Sequence, residues 1–197
     1  MSQALAGSQS AVEQIVRRYE RPVIRLIARI TRDPALAEEL AQDTFVKAFR
    51  SLGAFDPARR LSTWLFRIAH NTAIDALRRA RPPVVPLAGS GEGDEPAAAA
   101  SPDPVEQQAL GRALESAMAE LRPEARAAVT LRYEEGLPFE EIGQILRMPE
   151  ATARSHVHRA RKELSRLLAE AGWAPGTRRN ADAVHHVDPI RSAVRKP

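Results

Sequence analysis

The chain has 197 residues, 44% hydrophobic and 27% charged, with a formal net charge of +4 and no cysteine. That length holds one domain or two small ones, and the missing cysteines exclude disulfides and thiolate metal sites. No apolar run approaches the roughly 18 residues of a membrane span, and Met1 to Ser10 lacks the apolar core of a signal peptide, so a soluble cytoplasmic protein without membrane insertion is expected.

The charge is unevenly spread. Residues 1–81 carry fourteen Lys or Arg against eight Asp or Glu, residues 82–103 carry four acids and no base, and residues 104–170 are nearly balanced. Local positive faces, more than the total, decide whether a chain meets a phosphate backbone.

Residues 1–10 are expected to be a flexible N-terminus. From there Val12, Ile15, Val16 and Tyr19, then Val23, Leu26, Ile27 and Ile30, keep a helical period across Pro22, which should kink or break the helix. Asp33-Pro34 is a helix start, with Asp as N-cap and Pro at the first position, and the helix should run to about Leu52, where Gly53 can stop it. Ala37, Leu40, Ala41, Thr44, Ala48 and Leu52 suffice to bury that helix, with Phe45 at the margin. Val46 and Phe49 fall outside the stripe among Glu39, Gln42, Asp43 and Arg50, as an apolar spot in a polar rim that suits a protein interface. A broad core stripe that takes in Phe49 is the plainer alternative.

Ser62 is the next plausible N-cap, opening a helix that lasts to Pro82-Pro83. Its core side would be Leu65, Ile68, Ala69, Thr72, Ala73 and Ala76. The opposite ridge carries Arg67, Asn71, Ile74 and Arg78, with Trp64 in the first turn and His70 alongside. Trp, Asn and two Arg on one ridge suit stacking, base-edge hydrogen bonding and phosphate contact together, although a solvated Arg face gives the same spacing.

Residues 82–103 contain five Pro, three Gly and no Lys or Arg, a composition that cannot form a core and is expected to be a flexible acidic linker. Extended, it reaches at most about 70 Å. Asp103-Pro104-Val105-Glu106 resembles a capping box for a helix to about Leu121, and Pro123, Pro138 and Pro149 sit near three further helix starts, with Gly172 after the last. Strand-like alternation is absent, so the fold class is all-α: two small helical domains, 11–81 and 104–170, joined by the linker.

The stretch from Pro138 to Arg166 has the layout of a helix-turn-helix. Phe139, Ile142, Ile145 and Leu146 give the first helix an apolar stripe. On the second, Ala153, Val157, Ala160, Leu164, Leu167 and Leu168 fall on one side. Ser155, Arg159, Lys162 and Arg166 fall on the other, with His158 beside them and Arg154 and Arg161 on the flank. The two stripes can pack together and leave the cationic face outward, as in motifs whose second helix enters the DNA major groove. No nucleophile–base pairing, metal cluster or phosphate-binding Gly loop is visible, so neither enzyme activity nor a cofactor is expected.

ELAQDTFVKAF (39–49), FDPARRLSTWLFRIAHNTAIDALRR (55–79) and LPFEEIGQILRMPEATARSHVHRARKEL (137–164), in that order, closely resemble the extracytoplasmic-function (ECF) sigma factors, the minimal members of the sigma-70 family of bacterial transcription initiation factors. The resemblance covers about Ala11 to Leu168. It implies that residues 11–81 correspond to sigma region 2, docking Glu39, Gln42, Asp43, Val46, Phe49 and Arg50 on the clamp helices of the polymerase largest subunit. It places Trp64, Arg67, Asn71 and Arg78 along the promoter −10 element, with the Phe55 to Ser62 loop helping to hold an unstacked base. It makes residues 104–170 region 4, reading the −35 element with Arg154, Ser155, His158 and Arg159 while Lys162 and Arg166 hold phosphates.

The partners implied are core RNA polymerase, through its clamp helices and flap, promoter DNA and an anti-sigma factor, with the chain monomeric when free. The linker would tether two weak DNA contacts across roughly two helical turns. A sigma mimic that sequesters an anti-sigma factor, and a stand-alone dimeric helix-turn-helix regulator, are the alternatives. The pattern departs from the family at Arg147, where Gly is usual in the turn, and at His156, where Arg is frequent. The basic tail 171–197 lies outside the resemblance and is expected to be disordered; His185, His186 and Asp188 there are a weak metal-site signal.

Overall fold

The computed structural model describes residues 8–80 and 104–173. Among them the regular elements are all helical: α1 (Gln9–Thr31), α2 (Pro34–Arg50), a single 3-10 turn (Leu52–Ala54), α3 (Leu61–Ala80), α4 (Pro104–Glu120), α5 (Pro123–Tyr133), α6 (Phe139–Leu146) and α7 (Glu150–Glu170). The all-α expectation holds. The linker 82–103, with Asp103 of the expected capping box, and His185, His186 and Asp188 of the tail lie outside the described residues.

α1 starts before the end of the segment expected to be flexible: Ser8 caps it, its Oγ accepting from the Ala11 N–H at 3.4 Å. Pro22 does not break it. Losing one backbone bond and adding a ring clash costs about 3 kcal/mol, whereas Val23, Leu26, Ile27 and Ile30, all fully buried just beyond, contribute about 1.5–3 kcal/mol each. Tertiary burial outweighs the local defect. The helix ends at Arg32, which is left-handed (φ 63°) and donates its N–H to the Ala28 carbonyl at 2.8 Å.

α2 opens as expected, the Asp33 carboxylate accepting from the Leu36 N–H at 3.0 Å with Pro34 at the first position. It stops at Arg50, two residues early, because the Leu52–Ala54 turn takes over. α3 begins at Leu61, so Ser62 is a first-turn residue and not the cap; the first helical bond runs from the Trp64 N–H to the Arg60 carbonyl.

The first three helices pack mutually, and α7 packs along α4, α5 and α6. Leu114, Met118, Leu121, Val129, Leu164 and Leu168 close a core of their own between α4, α5 and α7. The two sets of helices do not stand apart. α5 lies on α1 and α6 lies on α3, and one continuous apolar core runs from Leu26, Leu40 and Phe66 through Leu131, Ile142 and Ile145. The reason is compositional: α5 is apolar on both sides, Val129 facing α4 and α7 while Ala127, Ala128 and Leu131 join the core shared with α1.

A polar seam follows the same boundary. Glu134 pairs with Arg25 at 3.1 Å and Arg29 at 3.3 Å, Glu135 pairs with Arg25 at 3.3 Å, and Arg29 also bonds Glu115. Burial pushes the Glu135 carboxyl above its ordinary range, Arg25 opposing the shift and Glu134 adding to it.

Candidate nucleic-acid interface

α6 and α7 meet at a turn of Arg147, Met148 and Pro149. Arg147 is left-handed (φ 56°, ψ 45°), and the Met148 N–H reaches back to the Gly143 carbonyl at 2.9 Å, the closure of a Schellman cap. Gly143 is required by this closure: a Cβ there would meet the Met148 carbonyl oxygen at 2.7 Å. Arg147 thus takes the turn position where Gly is usual, while the constraint on Gly143, which no local signal marks, comes from the backbone of Met148 and Glu150 further along the chain.

α7 divides as its period dictates. Ala153, Val157, Ala160, Leu164 and Leu168 are buried and Leu167 is half-buried, while Arg154, Ser155, His158, Arg159, Arg161, Lys162 and Arg166 are exposed. The exposed side chains are not idle. Arg154 is held by Glu150 at 2.6 Å with its guanidinium 5.0 Å from the Phe139 ring centroid, and Arg132 covers the same ring at 4.7 Å. The Ser155 hydroxyl donates to the Ala151 carbonyl at 2.9 Å, and Arg159 reaches the Ser155 carbonyl at 3.3 Å. Arg166 is paired with Glu163 and Glu170, which raises its pKa; both pairs are solvated and easily exchanged for a phosphate.

The outer ridge of α3 is different. Arg78 is exposed and loosely paired with Asp75 at 3.8 Å, but Trp64, Arg67 and Asn71 are only half-exposed. Trp64 and Arg67 line a shallow recess with Arg59, Thr63 and, from α6, Gln144. The Trp64 indole packs edge-on against buried Phe55 at 5.2 Å, tying the 55–60 loop to α3. His70 is buried with neither ring nitrogen hydrogen-bonded. Burial holds it below its ordinary pKa; the Asn71 amide and Glu124 oppose the shift and Arg147 adds to it.

Thr63, Phe66 and His70 thus form a second buried stripe on α3; spacing alone leaves Thr63 and Phe66 unassigned and sets His70 beside the outer ridge, whereas it is buried. Their spacing of three and four is the available signal, and the helices packed over α3, among them α1 and α6, are what make sense of it. At the end of the same stripe the Glu141 carboxylate accepts from the Thr63 hydroxyl at 2.5 Å and pairs with Arg60 at 3.1 Å.

On α2, Glu39, Gln42, Asp43 and Arg50 are exposed. Val46 is 47% exposed, the one exposed large hydrophobic among the described residues. Phe45 is buried, and Phe49 is half-buried and stacked on it at 6.1 Å. Phe49 therefore serves both readings, whereas Val46 serves no core.

Residues 15–82 match the family model of Sigma-70 region 2, and residues 111–164 match that of Sigma-70, region 4. The RNA polymerase sigma factor CarQ of Myxococcus xanthus is 40% identical over 83% of this chain and 92% of its own. The ECF RNA polymerase sigma factor SigW of Bacillus subtilis (strain 168) is 30% identical over 86% of this chain and 95% of its own. Among solved structures, CnrH in complex with the cytosolic domain of CnrY is 27% identical and superposes with a TM-score of 0.64, covering 86% of this chain and 94% of that one. The sigma factor RpoE in complex with the anti-sigma factor NepR from Bartonella quintana shares the fold (TM-score 0.66, 24% identity, 80% of this chain and 96% of that one). With two sigma regions in order, helices alone as the regular elements among the described residues, and relatives of the same kind matched over 92% and 95% of their own length, the protein belongs to the ECF group of the sigma-70 family of RNA polymerase sigma factors.

Proposed function

We propose that this chain binds core RNA polymerase in the cytoplasm through Glu39, Gln42, Asp43, Val46, Phe49 and Arg50 and directs it to promoters, without a catalytic step of its own. Trp64, Arg67, Asn71 and Arg78 meet the −10 element. Arg154, Ser155, His158 and Arg159 read the −35 element, and Lys162 and Arg166 hold its phosphates. The domains responsible are residues 11–81 and 104–170, with 82–103 as the tether.

The observation that carries this reading is the division of α7, whose apolar side is consumed by α4, α5 and α6 while its cationic side faces solvent, Arg154 and Arg166 being paired only with acids of α7 itself. A helix with one side fully used for packing and a row of Arg, Ser and His on the other is built to enter a groove. The half-covered state of Trp64 and Arg67 adds a requirement: the two halves must part before both elements can be read. A protein partner able to hold them together is supported by CnrH, which is solved with the cytosolic domain of CnrY, and we assign that role to an anti-sigma factor.

The test is in vitro transcription with cognate core enzyme on promoters mapped from start sites after overexpression. Asn71→Ala impairs −10 recognition and melting, and Arg159→Ala weakens −35 binding by about 1–3 kcal/mol. Unchanged promoter selection in both variants removes the residue assignments, and no transcript from any promoter removes the function.

A further inference from the structure

Arg154 lies on the face of α7 proposed to enter the groove, and its side chain is 63% exposed. An exposed arginine ordinarily samples many rotamers, and fixing it on binding costs conformational entropy. This one is held beforehand. Its guanidinium stands 5.0 Å from the centroid of the Phe139 ring, which comes from α6, and its Nη2 donates to Glu150 Oε1 at 2.6 Å in the first turn of α7. Arg159, on the same face, is held more loosely: its Nε meets the Ser155 carbonyl of its own helix at 3.3 Å.

The ring is itself fixed. Phe139 is the first residue of α6, half-buried and packed against the shared core. It also takes the guanidinium of Arg132, from α5, at 4.7 Å, and Arg132 is tied in turn through Nη1 to the Leu137 carbonyl at 2.9 Å. Three helices thus meet in the stack that sets Arg154.

Folding accounts for only part of this. An acid in a first turn suits the helix dipole, and a Glu–Arg pair four residues apart adds a little helix stability. Neither effect calls for a ring from a second helix. On a face that meets phosphates the Glu150 carboxylate also repels them, which lowers affinity for every sequence alike. What the acid and the ring do together is select. A guanidinium recognises guanine through two N–H groups of one planar edge, which meet O6 and N7. With Nη2 engaged and the group set against a ring, the fork offers fewer edges, and fewer base positions can satisfy it.

We propose that Phe139 and Glu150 are positioning residues for −35 recognition: they hold the Arg154 guanidinium in one orientation, and Glu150 lowers general affinity for DNA while raising discrimination at the base pair that Arg154 reads. This deepens the proposed function and rests on it for the contact between Arg154 and the −35 element.

The test uses holoenzyme made from cognate core enzyme and the full-length chain, on a mapped promoter whose −35 base pairs are replaced one at a time and compete in transcription. Arg154→Ala identifies its base pair as the position where preference falls by about tenfold. Phe139→Leu is expected to cut preference several-fold at that same position and to leave the others unchanged, while Phe139→Tyr, which keeps a ring, retains the wild-type preference. Glu150→Gln is expected to lower preference there and to bind every promoter more tightly. A merely loosened domain lowers both quantities, so the opposite signs separate positioning from folding. On the Arg154→Ala background neither change has a further effect on preference.

The assignment is overturned if Phe139→Leu and Glu150→Gln shift all −35 sequences by one common factor, or if their effect on preference persists without Arg154. Thermal melts report the fold of each variant, and should Phe139→Leu melt too low to assay, the exposed Glu150→Gln decides alone. Discrimination lost in Arg159→Ala but nowhere in Arg154→Ala sinks the positioning role and leaves α7 as the −35 reader. A holoenzyme that starts no transcript from any promoter sinks the proposed function, and the positioning role with it.

Discussion

Arg126 of α5 donates its Nη2 to the Ile30 carbonyl of α1 at 3.0 Å, and its Nη1 to the Ala119 carbonyl of α4 at 2.9 Å. Ile30 and Ala119 lie in the last turns of their helices, where carbonyls lack helical partners and the dipole favours a cation. One guanidinium thus closes two helix ends, one on each side of the domain boundary. Burial pushes its pKa down to about 10, with Arg32 adding to the fall and Glu124 opposing it, so the group stays charged at neutral pH.

Truncating this side chain should loosen the boundary. Arg126→Ala strands both carbonyls and opens a void, and a loss of about 3 kcal/mol is expected in the denaturant midpoint. Arg126→Met also strands the carbonyls but keeps the volume and removes a buried charge, so it should cost clearly less. Equal losses in the two variants would mean that the stranded carbonyls, common to both, account for the whole effect and the void for none of it.

The turn of the helix-turn-helix offers two opposite changes. Gly143→Ala drives a Cβ to 2.7 Å from the Met148 carbonyl oxygen, backbone that cannot yield without moving the start of α7, and should destabilise by about 1–3 kcal/mol. Arg147→Gly relieves a side chain at φ 56° and should stabilise by up to about 1 kcal/mol. Thermal melts of the two variants check the signs. A neutral Gly143→Ala would show that the turn is looser than this packing implies.

Much of this was legible beforehand. The Asp33 cap, the prolines at the helix starts and the buried row on α7 follow from local chemistry and a single period, and those elements formed as their residues dictate. What was not legible depended on a second body. Pro22 sits in an unbroken helix because its neighbours are buried by other elements, and Thr63, Phe66 and His70 are buried because other helices cover them, Phe66 meeting Tyr19 of α1 and Thr63 meeting Glu141 of α6. A period identifies a stripe but not its cover. The packing of the two halves likewise rests on the double-sided apolar character of α5, which a one-face reading of that helix does not reveal.

His70 makes the boundary sensitive to acid. Its pKa is lowered in the fold, where Glu124 of α5 and Arg147 of the turn face it, so the unfolded chain takes up a proton that the fold resists. The stability it permits is complete above the ordinary histidine value of about 6.5 and is lost as pH falls below it. Glu135, raised by burial, has the opposite sign: it gains its proton sooner in the fold, and its window lies nearer 4.5. Denaturant midpoints measured from about pH 7.5 to 5.5 should fall for wild type and fall less for His70→Leu. Parallel profiles would remove the histidine from the account.

Val46 gives the cleanest separation of folding from docking. It is 47% exposed in the middle of α2, touches no buried cluster, and lies between Asp43 and Arg50 on the face proposed to meet core polymerase. Val46→Asp should shift stability by no more than about 0.5 kcal/mol, because the site is a surface position outside the buried core. On a docking face the same change places an unpaired carboxylate where an apolar contact is needed, and such a desolvated charge costs about 2 kcal/mol or more in association. Phe49→Asp cannot serve, since that ring is half-buried against Phe45 and its loss confounds the two effects. Co-elution with core enzyme on size exclusion, beside a thermal melt, reads both quantities. A variant that melts like wild type and still co-elutes fully would return Val46 to an ordinary solvent-exposed valine.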